Sequence, residues 1–211
     1  MISHAAARAF VMAGLAFATV GCGDECGADG CAPCVGETCT ATCVSPDGED
    51  DAEACPYSCS DGADCSLTCG AVSCHLACDA STCACDPDCE SLSCTRGADC
   101  RADYAGRITC DASKCESAEH HEAICTNGAN CLLACGPVEG DANCRTSCDN
   151  SSVCHLECHG RCLLCCNGSP DCTMEGCAFE AMTCSDGTIS CGVDCATVGP
   201  AGWHCPAVPG G

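Results

Sequence analysis

Val72-Ser73-Cys74-His75-Leu76-Ala77-Cys78 is the stretch whose reading decides the fold. Residues i, i+2 and i+4 of an extended strand share one face. Val72, Cys74, Leu76 and Cys78 therefore face one way, and Ser73, His75 and Ala77 the other. The same alternation runs through Ala63-Cys65-Leu67-Cys69, Ala129-Cys131-Leu133-Cys135 and Ser152-Cys154-Leu156-Cys158, each written as its inward residues only. Twelve cysteine pairs stand four positions apart, against roughly six for random placement at this density. The slot midway between such cysteines holds Leu67, Leu76, Leu133, Leu156 or Leu164, and in two further cases Tyr57 or Val193.

Turn formers separate these runs: Asp61-Gly62, Asp79-Ala80-Ser81, Asn127-Gly128, Asp149-Asn150 and Asp186-Gly187. A short strand plus a turn, repeated about every ten residues, cannot bury a face alone. The expected fold class is small, disulfide-rich and all-β, with short strands stacked as an irregular β-solenoid or layered meander and internal disulfide rows. A helix also brings i and i+4 together, but the Gly, Asp, Ser and Thr between the cysteines disfavour it. The disulfide candidates are Cys65, Cys69, Cys74, Cys78, Cys131, Cys135, Cys144, Cys148, Cys154, Cys158, Cys191 and Cys195. Cysteines four apart on a strand are about 13 Å apart, too far to bond each other. They must bond across rungs or to a loop. The sequence leaves the connectivity open.

Composition points the same way. The chain has 35 cysteines in 211 residues, with three Phe, two Tyr and one Trp. Large apolar side chains are scarce, so disulfides must substitute for much of an ordinary core. Thiols at this density become disulfides in an oxidising compartment, which makes export the next question.

Arg8 precedes an apolar run from Ala9 to Val20, and no acid occurs before Asp24. Twelve apolar residues are too few to span a bilayer and suit the core of a signal peptide. No later stretch is apolar enough to span. Ala16-Phe17-Ala18 offers a small-x-small cleavage site. Thr19-Val20-Gly21-Cys22 offers the alternative: it resembles the lipobox of bacterial lipoproteins, with threonine where leucine is usual. That resemblance implies cleavage before Cys22 and a lipid on its thiol. If Cys22 carries lipid, the other 34 cysteines can close 17 disulfides. The repeat style behind this motif resembles uncharacterised cysteine-rich repeat lipoproteins of myxobacteria and related delta-proteobacteria. The resemblance implies an exported protein, lipid-anchored at the outer membrane or cell surface; a secreted or periplasmic soluble form is the alternative.

The expected organisation is a signal peptide at 1–21, a cysteine cluster at 22–43, an acidic linker at 44–54, a repeat domain at 55–205 and a flexible tail at 206–211. Residues 101–124 lack the cysteine rhythm and read as an interruption. Within them Glu116 to Ile124 could form a short helix, and His120-His121 reads as an exposed loop.

The net charge is −23. Loss of residues 1–21 removes Arg8 and leaves six Lys+Arg against 30 Asp+Glu. Such a surface repels nucleic acid. Acid pairs such as Asp61/Asp64, or the run from Asp47 to Glu53, could hold divalent cations weakly, but no regular calcium loop is present. Cys31-Ala32-Pro33-Cys34 has the CxxC spacing of redox enzymes without the strand-then-helix context that lowers a thiol pKa. Cys154, His155, Cys158, His159, Cys162, Cys165 and Cys166 form the densest group of potential zinc or copper ligands. Thr38-Cys39-Thr40-Ala41-Thr42-Cys43 has the Thr-Cys-Thr pattern of insect ice-binding solenoids but occurs once. No catalytic set, cofactor site or metal site emerges. The expected function is that of a non-enzymatic cell-envelope lipoprotein with a structural, adhesive or binding role. Its membrane contact is the lipid, and its protein or surface ligand is open. The alternative is a metallothionein-like, metal-sequestering exported protein.

Overall fold

A computed structural model describes residues 23–26, 31–43, 55–70, 73–135, 143–149, 152–168, 171–199 and 203–208. Its strands are β1 (Gly23–Cys26), β2 (Cys34–Val35), β3 (Thr38–Cys43), β4 (Cys55–Ser60), β5 (Asp64–Cys69), β6 (Cys74–Asp79), β7 (Thr82–Thr95), β8 (Asp99–Asp111), β9 (Lys114–Thr126), β10 (Asn130–Cys135), β11 (Asn143–Asp149), β12 (Val153–Cys158), β13 (Arg161–Asn167), β14 (Asp171–Glu175), β15 (Ala181–Thr183) and β16 (Ile189–Cys191).

The strands coil into a flattened parallel β-solenoid. Sheet one stacks β1, β3, β5, the first halves of β7, β8 and β9, then β10, β12 and β14. Sheet two stacks β2, β4, β6, the second halves of β7, β8 and β9, then β11 and β13. It ends in β16 and β15, which run antiparallel. Two of the predicted strand-plus-turn units thus make one coil, one unit in each sheet. β2 and β3, inside the 22–43 cluster, stack directly on β4 and β5.

The inward columns follow the alternation read from the sequence. In sheet two Tyr57, Leu76, Leu92, Ile108, Ala123, Thr146 and Leu164 lie in register. In sheet one Ala41, Leu67, Cys85, Ala102, Ser117, Leu133, Leu156 and Met174 do so. Leu67, Leu76, Leu133, Leu156 and Leu164, the five leucines of the midway slot, are all buried. So are Tyr57 and Val193.

The near edge joins sheet two of one coil to sheet one of the next, and two turn types alternate there. Thr95-Arg96-Gly97-Ala98 and Thr126-Asn127-Gly128-Ala129 alternate with Asp79-Ala80-Ser81 and Asp111-Ala112-Ser113. The glycines have φ of +83° and +80°, and Ala80 and Ala112 also have positive φ. Backbone bonds climb this edge from turn to turn: Ala80 N–H donates to Thr95 O at 3.0 Å, Gly97 to Ala112 O at 2.9 Å and Ala112 to Thr126 O at 3.1 Å. Asp79 accepts from Thr95 and from the Arg96 guanidinium. Asp111 accepts from Thr126 and Asn127. Each Asp-Ala-Ser turn therefore caps the Thr-x-Gly-Ala turn beside it. This two-coil period lies in the turns, which in the sequence read only as separators of the strands.

Two expectations are overturned. Residues 101–124 do not interrupt the repeat: β8 and β9 are complete coils, paired in register from Asp99↔Lys114 to Asp111↔Thr126. Glu116 to Ile124 is not helical, because it lies wholly within β9. Both segments turn their far corner, from sheet one to sheet two, without a cysteine, so the marker that revealed the other coils is missing. Backbone stacking is tight at that corner: a Cβ on Gly106 would lie 2.8 Å from Glu90 O.

Candidate functional site: the disulfide columns and outer faces

Sixteen disulfides join 32 of the described cysteines, and Cys31 is bonded as well. Disulfides at this density belong to an oxidising compartment outside the cytosol. They fall into two columns and a terminal group.

The near-edge column has eight rungs: Cys34–Cys39, Cys59–Cys65, Cys78–Cys83, Cys94–Cys100, Cys110–Cys115, Cys125–Cys131, Cys148–Cys154 and Cys166–Cys172. Each spans one near-edge turn, with sequence separations of 5 or 6. The rungs are in register along both sheets, through Cys39, Cys65, Cys83, Cys100, Cys115, Cys131, Cys154 and Cys172 on one side. The sulfurs of Cys59, Cys65 and Cys83 lie within 4.8 Å of one another, as do those of Cys94, Cys110 and Cys115 and those of Cys110, Cys125 and Cys131.

The far-edge column is interrupted. It holds Cys43–Cys55, Cys69–Cys74 and Cys85–Cys89, then Cys135–Cys144 and Cys158–Cys162. In the coils between, Ala105 and His120 occupy the register of Cys89. Cysteines four apart on one strand bond outward to different rungs, Cys65 to Cys59 and Cys69 to Cys74. Cys85–Cys89 and Cys158–Cys162 are bonded despite that spacing. There the chain turns the far corner between the two cysteines, which shortens the 13 Å of an extended strand to Cα separations of 6.1 and 6.2 Å. Of the other candidates, Cys191 bonds Cys177 and Cys195 bonds Cys184. Cys22 and the 44–54 linker lie outside the described residues.

His120 is fully buried, which overturns the exposed-loop expectation. Its Nδ1 is 3.0 Å from Ala134 O and its Nε2 3.0 Å from Thr146 Oγ1. Loss of water pushes its pKa down to about 4. Its own coil has only Ser117 and Ala123 at the central inward positions, so the imidazole supplies volume there. His121, by contrast, is exposed, and its Nε2 lies 3.3 Å from Tyr104 Oη.

The proposed zinc or copper group is divided by its bonds. Cys154, Cys158, Cys162, Cys165 and Cys166 pair with Cys148, each other (Cys158 with Cys162), Cys205 and Cys172. His155 is bonded to Thr173 at 2.9 Å, and His159 approaches Glu157 at 3.2 Å. In the CxxC segment, Cys34 bonds Cys39 rather than Cys31.

Basic side chains are engaged by neighbours. Arg107 pairs with Glu122 at 2.6 Å, and Arg145 reaches the same carboxylate at 3.7 Å. Lys114 pairs with Glu116 at 2.7 Å; that contact holds the Glu116 carboxyl below its usual range and the Lys114 ammonium above its own. Arg161 lies over the Trp203 ring. The outer charge that remains is acidic. A groove of about 350 Å³ crosses sheet one where regular pairing skips Asp103 and Ala118, lined in part by Arg101, Glu116, Leu132, His155 and Glu157.

On sheet two, Leu163 and Cys165 take outward positions of β13, yet both are buried. The Cys165–Cys205 bond ties the C-terminal segment there, and Pro206, expected in a flexible tail, is buried. No described helix is long and apolar enough to cross a membrane. No family model, curated protein or solved structure matches the chain.

Proposed function

We propose that the protein is exported, anchored through a lipid on Cys22, and acts without catalysis as a rigid structural or adhesive body of the cell envelope. The observation behind this reading is the order of the disulfides. From Cys34–Cys39 through Cys158–Cys162, the cysteines pair two by two in sequence order, each bond joining consecutive cysteines, twelve bonds in succession. Such consecutive pairing suits a chain oxidised as it emerges into a compartment where disulfides form. Parity agrees with this reading: if Cys22, at the end of the lipobox-like Thr19-Val20-Gly21-Cys22, carries lipid, 34 cysteines are left to close 17 disulfides.

A surface or outer-membrane location suits the body that follows. A disulfide-laddered solenoid keeps its shape without a large apolar core, and its acidic exterior favours solubility over nucleic-acid contact. Metal sequestration would need thiolates, and 32 of the described cysteines are bonded to one another.

Mass spectrometry of protein purified from the envelope tests the anchor. A diacylglycerol-modified Cys22 at the mature N-terminus is expected, and an unmodified chain beginning at Thr19 would end the lipoprotein reading. Thiol titration and metal analysis of the same material should give 17 disulfides and no stoichiometric metal. Many free thiols with bound zinc or copper would favour sequestration instead.

A further inference from the structure

The near-edge column has a chemical capability that a purely mechanical ladder does not need. Neighbouring rungs are in register, so the Cα atoms of in-register cysteines are one strand spacing apart, about 4.8 Å. That lies inside the Cα range of an unstrained disulfide. Sulfurs of adjacent rungs already approach within 4.8 Å at Cys65/Cys83 and at Cys110/Cys125. A cysteine of one rung is therefore within reach of a cysteine of the next.

We propose that the column is a two-electron thiol–disulfide relay running along the solenoid axis. Take a rung reduced to two thiols by a phosphine or thiol reductant. One thiolate attacks the in-register sulfur of the adjacent disulfide. That S–S bond breaks, its electron pair stays on the departing sulfur, and a mixed disulfide joins the two rungs. The second thiolate of the first rung then attacks its own partner's sulfur in the mixed bond. The first disulfide re-forms, and the second rung is left as two thiols. Two electrons and two protons have moved one rung, and nothing further is consumed.

Burial gives the relay a port. From Cys34 to Cys154 the column's cysteines are 2 % exposed or less, whereas Cys166 and Cys172, at its C-terminal end, are only partly buried. Of the column's rungs, a soluble reductant meets that one first. The order of labelling along the column supplies the internal comparison. The relay is independent of the lipid anchor and holds for any mature N-terminus.

The test uses the oxidised full chain with one equivalent of a phosphine at about pH 8, where thiolates form. Aliquots are quenched in acid over time, alkylated, and mapped by mass spectrometry. Within the column, label should appear first at Cys166 and Cys172. It should then rise several-fold at Cys125/Cys131 and finally at Cys34/Cys39, with trapped Cys154–Cys172 or Cys148–Cys166 bonds in between. At about pH 5 migration should slow more than about a hundredfold. Label that stays at Cys166/Cys172 would overturn the relay. So would label that reaches Cys94/Cys100 as fast as Cys166/Cys172, since the reductant would then be entering each rung independently. In the double variant C110A/C115A, label should halt at Cys125/Cys131; unchanged labelling of Cys34/Cys39 also refutes the relay. The wild-type order of labelling along the column decides the matter even if that variant fails to fold.

Discussion

Acidification should destabilise the middle of the solenoid through His120. The imidazole is buried between Ala134 O and Thr146 Oγ1, with a folded pKa of about 4 against about 6.5 for a solvated histidine. The sign follows from proton binding. Between these two values the unfolded chain holds the proton and the folded chain does not, so folding is favoured above about pH 6.5 and loses that advantage as pH falls toward 4. A gap of roughly 2.5 pKa units corresponds to about 3 kcal/mol, most of it gone by about pH 4.5. The many carboxylates also titrate as pH falls, so the measurement must isolate this group. Denaturant unfolding of oxidised wild type at about pH 7 and pH 4.5, compared with His120→Gln, does so. Glutamine keeps polar atoms near Ala134 O and Thr146 and has no proton to gain. Wild type should lose about 2–3 kcal/mol more than the variant across this interval. The His120 ring resonance should also hold its neutral position at about pH 5. Identical pH dependence in both proteins, or titration of His120 near pH 6.5, would refute the reasoning.

Other outcomes follow from packing and loop length. Leu76→Ala empties a fully buried slot between Tyr57 and Leu92 and should cost about 2–5 kcal/mol, while Leu132→Ala, at a half-exposed site, should cost less than about 1 kcal/mol; thermal unfolding ranks the two. Removing Cys110–Cys115, at separation 5, should cost about 2 kcal/mol, and removing Cys165–Cys205, at separation 40, about 4 kcal/mol, with a change in Trp203 fluorescence in the second case only. Gly128→Val should be destabilising by more than about 1 kcal/mol although nothing lies within 4 Å of the added Cβ, because φ is +80°; a neutral effect would show that the turn can relax.

The strand faces were legible because period-two burial acts on each strand alone. Leu67, Leu76 and Leu156 had to point inward once their flanking cysteines did. The connectivity was not legible, since pairing depends on where the chain turns. Cys65–Cys69 and Cys85–Cys89 have the same spacing, yet only the second pair spans a corner and bonds. β8 and β9 were missed for a related reason. Their far corners use Ala105, Gly106 and His120 where other coils use cysteine, and a histidine that fills a core is indistinguishable by type from one in a loop. The alternating near-edge turns were visible as Cys-Asp-Ala-Ser and Thr-x-Gly-Ala, but their partnership exists only between coils, through Asp79 with Thr95 and Asp111 with Thr126. The cover over β13 had no local signal, because Cys165 and Cys205 are 40 residues apart.

The neighbour-to-neighbour order of the bonds also determines how the molecule bears tension. A pull applied between Cys34 and Cys205 does not travel through every peptide. It passes across each disulfide and skips the loop that the bond closes, including the 40-residue loop from Cys165 to Cys205. The load-bearing route that remains is short pieces such as 39–43, 65–69 and 74–78, with the longest at 100–110 and 115–125. At roughly 3.5 Å per residue, plus the span of each cross-link, the oxidised chain becomes taut at about 280 Å, where the same backbone without bonds would reach about 600 Å. Even with every strand torn out of its sheet, this is a tether with a fixed stop.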